Sequence, residues 1–370
     1  MKVLRIFHGG GVPEYQKRDD ALAALGHDVT LVVPKWFREL PEITVAEPRQ
    51  DSVRVIPVGL FGPRRNPFFF YNPFTIASVH KSADPDVVDL HEEPYSLAAL
   101  SVLVGLRLAR SSAALIFRSS QNVFKRYPGP FAKLQSAVLK KSAEAYVPST
   151  QAKEVLEKKG FNRRITVVGN GVAIRDSVRA EVPDGGPLKV VYVGRLTERK
   201  GVRELVEAVV GLAGTVYLTV VGSGPDGDEL VKIAARSSSP QSVTFVGAVP
   251  QDEVALYTAA ADVICVPSRV LDGWSEQFSR ALVEGMASSC VPIVSTSGAL
   301  NEVSGGSGIV FPWGSVDALR ASLVEVAAWP DIHVAKERAR AIAQDNYSWE
   351  ATSAQISSIY ERVSLPNAEK

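Results

Sequence analysis

Short valine-rich runs alternate with helix-period segments along nearly the whole chain, and that alternation predicts parallel sheets with helices on both faces. Strands are expected at 3–7, 28–33, 53–57, 87–90, 114–117, 145–147 and 166–168. A second series follows at 189–193, 216–221, 243–246, 263–266, 292–294 and 309–311. Between the series lies VPDGGP at 182–187, a turn-rich hinge. The expected architecture is α/β, with two doubly wound parallel-sheet domains at 1–182 and 187–345, followed by a tail at 346–370. Facing each other, such domains would gather their carboxyl-end loops around one cleft. The chain has 370 residues, enough for each domain to bury its own core.

The segment EQFSRALVE at 276–284 places two glutamates with seven residues between them, after a buried-strand pattern, ADVICVPS, at 261–268. Leu282, Val283 and Met286 recur at helical spacing, so a helix is expected to begin just after Glu276. Eight residues of helix rise about 12 Å, too far for Glu276 and Glu284 to share one metal or proton. They could hold two ends of an elongated ligand, with the N–H groups of Gln277, Phe278 and Ser279 offered to a phosphate between them. A nucleotide sugar has that shape. A surface helix with solvated glutamates is the competing reading of this segment taken alone.

Upstream, LKVVYVGRLTERKGV at 188–202 reads as a strand, a turn at Gly194, the cations Arg195 and Lys200, and a helix start. Arg195 can fork onto two oxygens and Lys200 can act as a point charge, together neutralising a departing diphosphate.

The order GRLTERKG (194–201), VVGSGPDGDEL (220–230), VTFVGAVPQDEV (243–254), ADVICVPS (261–268), EQFSRALVEGMA (276–287) and GALNEV (298–303) resembles the retaining glycosyltransferases of family 4, group 1. GGGVPEY (9–15), GHDVTLVVP (26–34), PDVVDLHEEPYS (85–96) and GNGV (169–172) extend the resemblance across nearly the whole chain. It implies the GT-B fold, two Rossmann-like domains, with an acceptor-binding first domain and a nucleotide-sugar-binding second. The tail would be a closing helix that crosses back to the first domain. Carried over residue by residue, it implies that Arg195 and Lys200 hold the donor diphosphate, Glu284 the ribose hydroxyls and Glu276 the donor sugar. His91 matches the histidine placed over the transferred sugar, and Gly10 and Gly11 lie in the loop that closes near the phosphates. The implied reaction is metal-independent hexosyl transfer from a nucleoside diphosphate sugar to a hydroxyl acceptor with retention, the leaving phosphate helping to deprotonate the acceptor. Surface glycan, exopolysaccharide or glycolipid synthesis is the implied setting. Departures are Ser279 and Ser289, where glycine is usual, and Gly169, where proline is usual; a side chain at 279 would reshape the approach to phosphate.

Residues 1–180 carry 26 Lys plus Arg against 17 Asp plus Glu, a net of +9, while 181–370 carry 15 against 23, a net of −8. The basic half suits an anionic acceptor or membrane surface, and no nucleic-acid module accompanies it. RRNPFFFYNPF at 64–74 and KRYPGPF at 125–131 mix cations with aromatics, as membrane-interface segments do; a loop packed on its own domain would read the same. The opening MKVLRIFHGGG is too short an apolar run for a signal peptide, and 96–106 is too short to span a bilayer, so a cytoplasmic protein with peripheral contact to the inner membrane face is expected. Cys265 and Cys290 fall in buried-strand patterns and read as packing residues. DPD at 84–86 and DGD at 226–228 imitate a metal-binding triplet but fall at a strand start and in a turn, so no metal or cofactor is expected. A nucleotide-sugar epimerase of the same fold, and a non-catalytic nucleotide-sugar binding protein, are the alternatives.

Overall fold

The computed structural model describes residues 1–39, 42–63, 67–174, 186–212 and 214–364. The expected hinge falls, apart from residues 186 and 187, outside the described residues, as do Arg64 and Arg65. Two compact units emerge: Met1–Gly171 with Trp349–Lys370, and Val172–Ser348.

Among its described residues unit 1 is built on seven parallel strands: β1 (Lys2–Ile6), β2 (Asp28–Pro34), β3 (Val53–Val58), β4 (Val87–Leu90), β5 (Ala114–Arg118), β6 (Glu144–Val147) and β7 (Ile165–Val167). Their order is β7-β6-β5-β4-β1-β2-β3, with the two-residue strand Arg49–Gln50 added antiparallel beside β3. Such strands are near-continuous apolar runs because helices cover both faces. Those helices are α1 (Pro13–Ala24), α2 (Pro73–Ala83), α3 (Leu97–Ala109), α4 (Gly129–Lys141) and α5 (Thr150–Lys158). Side-chain caps start several of them; Ser96 Oγ accepts from Ala99 N–H at 3.1 Å and Ser149 Oγ from Ala152 N–H at 3.3 Å. Two short antiparallel pairs were not expected: Trp36–Glu39 with Glu42–Val45, and Leu60–Phe61 with Phe70–Tyr71.

Among its described residues unit 2 holds six parallel strands: β8 (Leu188–Val193), β9 (Val216–Val221), β10 (Val243–Gly247), β11 (Val263–Val266), β12 (Val291–Ser295) and β13 (Ile309–Phe311), ordered β10-β9-β8-β11-β12-β13. Its helices are α6 (Val202–Val210), α7 (Gly227–Ala234), α8 (Val254–Ala259), α9 (Arg280–Ala287), α10 (Leu300–Ser304), α11 (Val316–Ala327) and α12 (Ile332–Tyr347). Cys265 and Cys290 are buried thiols outside any disulfide, and Cys290 Sγ lies 3.0 Å from the Thr258 carbonyl oxygen.

The last helix, α13 (Trp349–Ser364), belongs to unit 1. Its buried Ile356, Ile359, Tyr360 and Val363 join Leu22, Leu31, Ile116 and Tyr146 in one core. Each aliphatic of that set contributes about 1.5–3 kcal/mol by leaving water, which is ample to hold the chain end there.

In each sheet the strand order reverses once, between β1 and β4 in unit 1 and between β8 and β11 in unit 2. Loops leaving the carboxyl ends of strands at such a switch point form the natural ligand crevice of an open α/β sheet. His91 and the loop of Gly10 and Gly11 leave the first pair; Gly194 to Lys200 and the segment to Glu276 leave the second.

Candidate functional sites, one in each unit

In unit 2 the loops after β8 and β9 lie back to back. Gly194 N–H donates to the Val221 carbonyl at 2.9 Å and Leu196 N–H to that of Ser223 at 3.0 Å. A Cβ on Gly222, at φ 138, would stand 1.9 Å from the Gly194 carbonyl oxygen, so only glycine permits this approach. Gly201, at φ 66, does the same against Pro267, where a Cβ would meet the carbonyl oxygen at 2.0 Å. That contact carries Lys200 to the loop after β11.

There Lys200 Nζ donates to Glu276 Oε2 at 2.6 Å, and Ser268 Oγ donates to the same oxygen at 2.9 Å. Two residues 76 positions apart, expected separately on the diphosphate and the sugar, thus form one ion pair. Glu276 is buried, while the Lys200 side chain is 23% exposed. The loop after β12 backs the carboxylate, with Ala299 N–H donating to the Glu276 carbonyl at 2.9 Å. Trp274 stacks under the cations, its ring 5.2 Å from Lys200 Nζ and 4.9 Å from Arg199 Cζ. Arg195 is exposed, and among the described residues its guanidinium has no side-chain partner; its carbonyl accepts from Tyr192 Oη at 2.9 Å. Glu284 Oε1 accepts from Gln251 Nε2 at 2.8 Å and Arg280 Nη2 at 3.1 Å.

One expectation is corrected. The helix begins at Arg280, four residues after Glu276, so Glu284 is its fifth residue and the two glutamates are not joined by continuous helix. The cause is Ser279, the residue where glycine was the expected family choice. It is the N-cap, its Oγ accepting from Leu282 N–H at 3.2 Å. Gln277 and Phe278 precede the helix rather than forming its first turn, and Phe278 is buried edge-on to Tyr347 at 5.4 Å. The aspartates of the two metal-like triplets have other partners or places. Asp84 Oδ2 lies 3.2 Å from Lys2 Nζ, Asp86 Oδ2 accepts from Lys2 N–H at 2.8 Å, and Asp226 precedes α7.

In unit 1, Gly10 and Gly11 lie in a short 3-10 turn, His8–Gly11, that ends at the start of α1. Gly10 is buried; a Cβ there would meet Val33 Cγ1 at 2.9 Å. His91 stacks on Phe7 at 4.0 Å, and its Nδ1 faces Arg5 Nη2 at 3.1 Å and Arg18 Nη1 at 3.3 Å. Burial, then the cations of Arg118, Arg5 and Arg18, hold the His91 pKa well below the ordinary imidazole range. Beside it, His8 Nδ1 meets Glu92 Oε2 at 2.7 Å, and Tyr71 Oη donates to Glu92 Oε1 at 2.8 Å. Arg5, Arg18, Glu92, Ser268 and Trp274 were not singled out from the sequence. For Arg5 the signal was present, as a charge inside the apolar run of β1.

A model of glycosyl transferases group 1 matches residues 187–328, and one of Glycosyltransferase Family 4 matches residues 20–175. The chain belongs to the family 4, group 1 glycosyltransferases. It is 29% identical over 205 residues to glycogen synthase of Mycobacterium tuberculosis, covering 53% of this chain and 48% of that protein, so it spans about half that relative's length. It is 26% identical over 360 residues to phosphatidyl-myo-inositol mannosyltransferase of Mycolicibacterium smegmatis, covering 93% of this chain and 88% of that one. Among solved structures, sucrose-phosphate synthase of Thermosynechococcus elongatus superposes with a TM-score of 0.73 at 22% identity over 98% of each chain. Anabaena HepE, solved in complex with UDP and glucose, superposes at 0.68 with 16% identity, again over 98% of each. The fold is GT-B.

Proposed function

We propose that this glycosyltransferase moves a sugar from a nucleoside diphosphate donor to a hydroxyl acceptor with retention at the anomeric carbon, in the synthesis of a surface glycan, exopolysaccharide or glycolipid. The observation that carries the reading is the unit 2 switch point, where exposed Arg195 and the Lys200–Glu276 pair are held by glycine-dependent loop contacts. The bond from the anomeric carbon to the donor phosphate breaks, and the acceptor oxygen bonds to that carbon on the same face. The acceptor proton passes to the departing diphosphate. Arg195 and Lys200 neutralise the charge that develops there, a service these fixed cations perform without a divalent metal. Glu276 accepts from sugar hydroxyls and Glu284 from the ribose. Support also comes from names of relatives, among them a GDP-mannose-dependent phosphatidylinositol monomannoside mannosyltransferase.

The acceptor we propose is lipid-linked, reached by peripheral contact of a cytoplasmic enzyme with the inner membrane face. In 67–74, Phe69 and Tyr71 are buried, whereas Phe68, Phe70 and Phe74 are exposed. Leu100, Val104 and Leu108 extend this as an exposed stripe along α3, and neither α2, α3 nor α4 contains a carboxylate. At 125–131, Lys125 and Arg126 are exposed, and Phe131 meets Phe68 edge-on at 6.1 Å. Aromatics beside cations suit an anionic bilayer surface; among the described residues no helix is long and apolar enough to cross a membrane.

A panel of UDP-, GDP- and ADP-sugars, with and without membrane extract and with and without EDTA, tests the reading. Extract-dependent, EDTA-insensitive nucleotide release with an anomerically retained product is expected. Sugar interconversion without acceptor would make the protein an epimerase, and binding without turnover a non-catalytic binder. Flotation with vesicles that contain or lack anionic lipid tests the membrane contact, which fails if neither binds.

A further inference from the structure

The groups that crowd His91 most closely are guanidiniums. Arg5 reaches it from β1, Arg18 from α1, and Arg118 stands on β5. Against these, Arg5 pairs with Asp19 of α1 at 2.6 Å and Arg18 with Asp89 of β4 at 2.5 Å. Of the other charges nearby, His8 is paired with Glu92 and Arg118 feels the buried carboxyl of Glu93, yet the groups that act directly on His91 are cations: Arg118, Arg5, Arg18 and His8. Asp89 is shared further, accepting from Tyr146 of β6 at 2.9 Å and from Tyr360 of α13 at 2.8 Å. A proton added to His91 would create a further cation in this buried cluster.

Both guanidinium contacts converge on one atom, Nδ1 of His91. A guanidinium has only donors, so Nδ1 must present its lone pair, and the one proton of the neutral ring sits on Nε2. We infer that Arg5 and Arg18 are positioning residues that lock His91 as the neutral, Nε2-protonated tautomer, so that it meets a substrate oxygen only as a hydrogen-bond donor and carries no proton between groups. Stacking on Phe7 fixes the plane of the ring, and the depressed pKa of His91 has the same origin in burial and neighbouring cations. The proposed function enters only in making the recipient a sugar or acceptor oxygen; the lock is a property of the free protein.

Long-range proton–nitrogen correlation spectra of the 15N-labelled full chain test it, with His91→Gln assigning the resonance. The expected result is a neutral Nε2–H pattern that persists from about pH 8 to about pH 5. In the Arg5→Gln/Asp19→Asn double variant, which exchanges the ion pair for an amide pair, the ring should begin to protonate within that window. An Nδ1–H pattern, or titration of His91 in the unmodified protein over that range, overturns the lock. Activity supplies a second arm, read as nucleotide release from UDP-glucose or GDP-mannose. Glutamine can accept from Arg5 and Arg18 through its oxygen while its amide N–H takes the place of Nε2–H. His91→Gln should therefore stay within about tenfold of the parent, while His91→Leu falls by about a hundredfold. Equal loss in both contradicts the donor role; if the parent turns over no UDP-, GDP- or ADP-sugar of the panel with membrane extract present, the function reading fails and the spectra still decide the lock.

Discussion

The two switch points treat charge in opposite ways. In unit 1, Arg5, Arg18, Asp19 and Asp89 are buried and spend themselves on one another, on two tyrosines and on His91. In unit 2, Arg195 is exposed and Lys200 is partly so, held by one carboxylate that a ligand can compete for. Charge that is buried and paired within the protein fixes geometry and is closed to a ligand. Accessible charge on a glycine-shaped loop is available to an anion.

The largest way to break this contrast is Asp89→Asn. It removes the charge that Arg18, Tyr146 and Tyr360 share, and should cost about 3–5 kcal/mol of stability, read from urea unfolding. An unchanged midpoint would mean the network is relaxed by water. Lys200→Ala should instead act on function, lowering turnover by about a hundredfold in a nucleotide-release assay with the chain still folded. Acid sharpens the same contrast. Burial lowers the pKa of His27, His80 and His91, all in unit 1, from the ordinary value of 6.5. The unfolded chain therefore binds more protons than the folded one as pH drops through 6.5, so the stability these groups contribute is present above that pH and lost below it. Thermal unfolding at a series of pH values should show the loss, with probes in unit 1 melting first. Smallest is Ser279→Ala, which removes the cap of α9 at a cost of about 1 kcal/mol, whereas Ser279→Gly should cost a few tenths; a circular-dichroism melt distinguishes them.

The strands were legible because parallel strands covered on both faces are written as unbroken apolar runs, and 87–90, 216–221, 263–266 and 309–311 lie where periodicity put them. The hairpin of Leu60–Phe61 with Phe70–Tyr71 was not, because aromatic residues in two-residue strands carry no period to read. The start of α9 was misplaced for a different reason. Ser279 precedes an apolar-periodic run, which is an N-cap signal, yet it was weighed as a missing glycine. In unit 1 the charges interrupting β1 and β4 were visible, but their completion was not. Tyr360, which closes the network on Asp89, lies 271 positions away in a helix whose pattern says only that one face is buried.

Calorimetric titration of UDP and GDP tests the central claim most directly, comparing the parent with Arg195→Ala, Lys200→Ala and the Arg5→Gln/Asp19→Asn pair. Loss of one charge-assisted contact should weaken whichever nucleotide binds by about tenfold or more in each of the first two variants. The buried-network variant should bind as the parent does. Undiminished binding in Arg195→Ala and Lys200→Ala, or weakening confined to the unit 1 variant, would contradict the assignment of the diphosphate to unit 2.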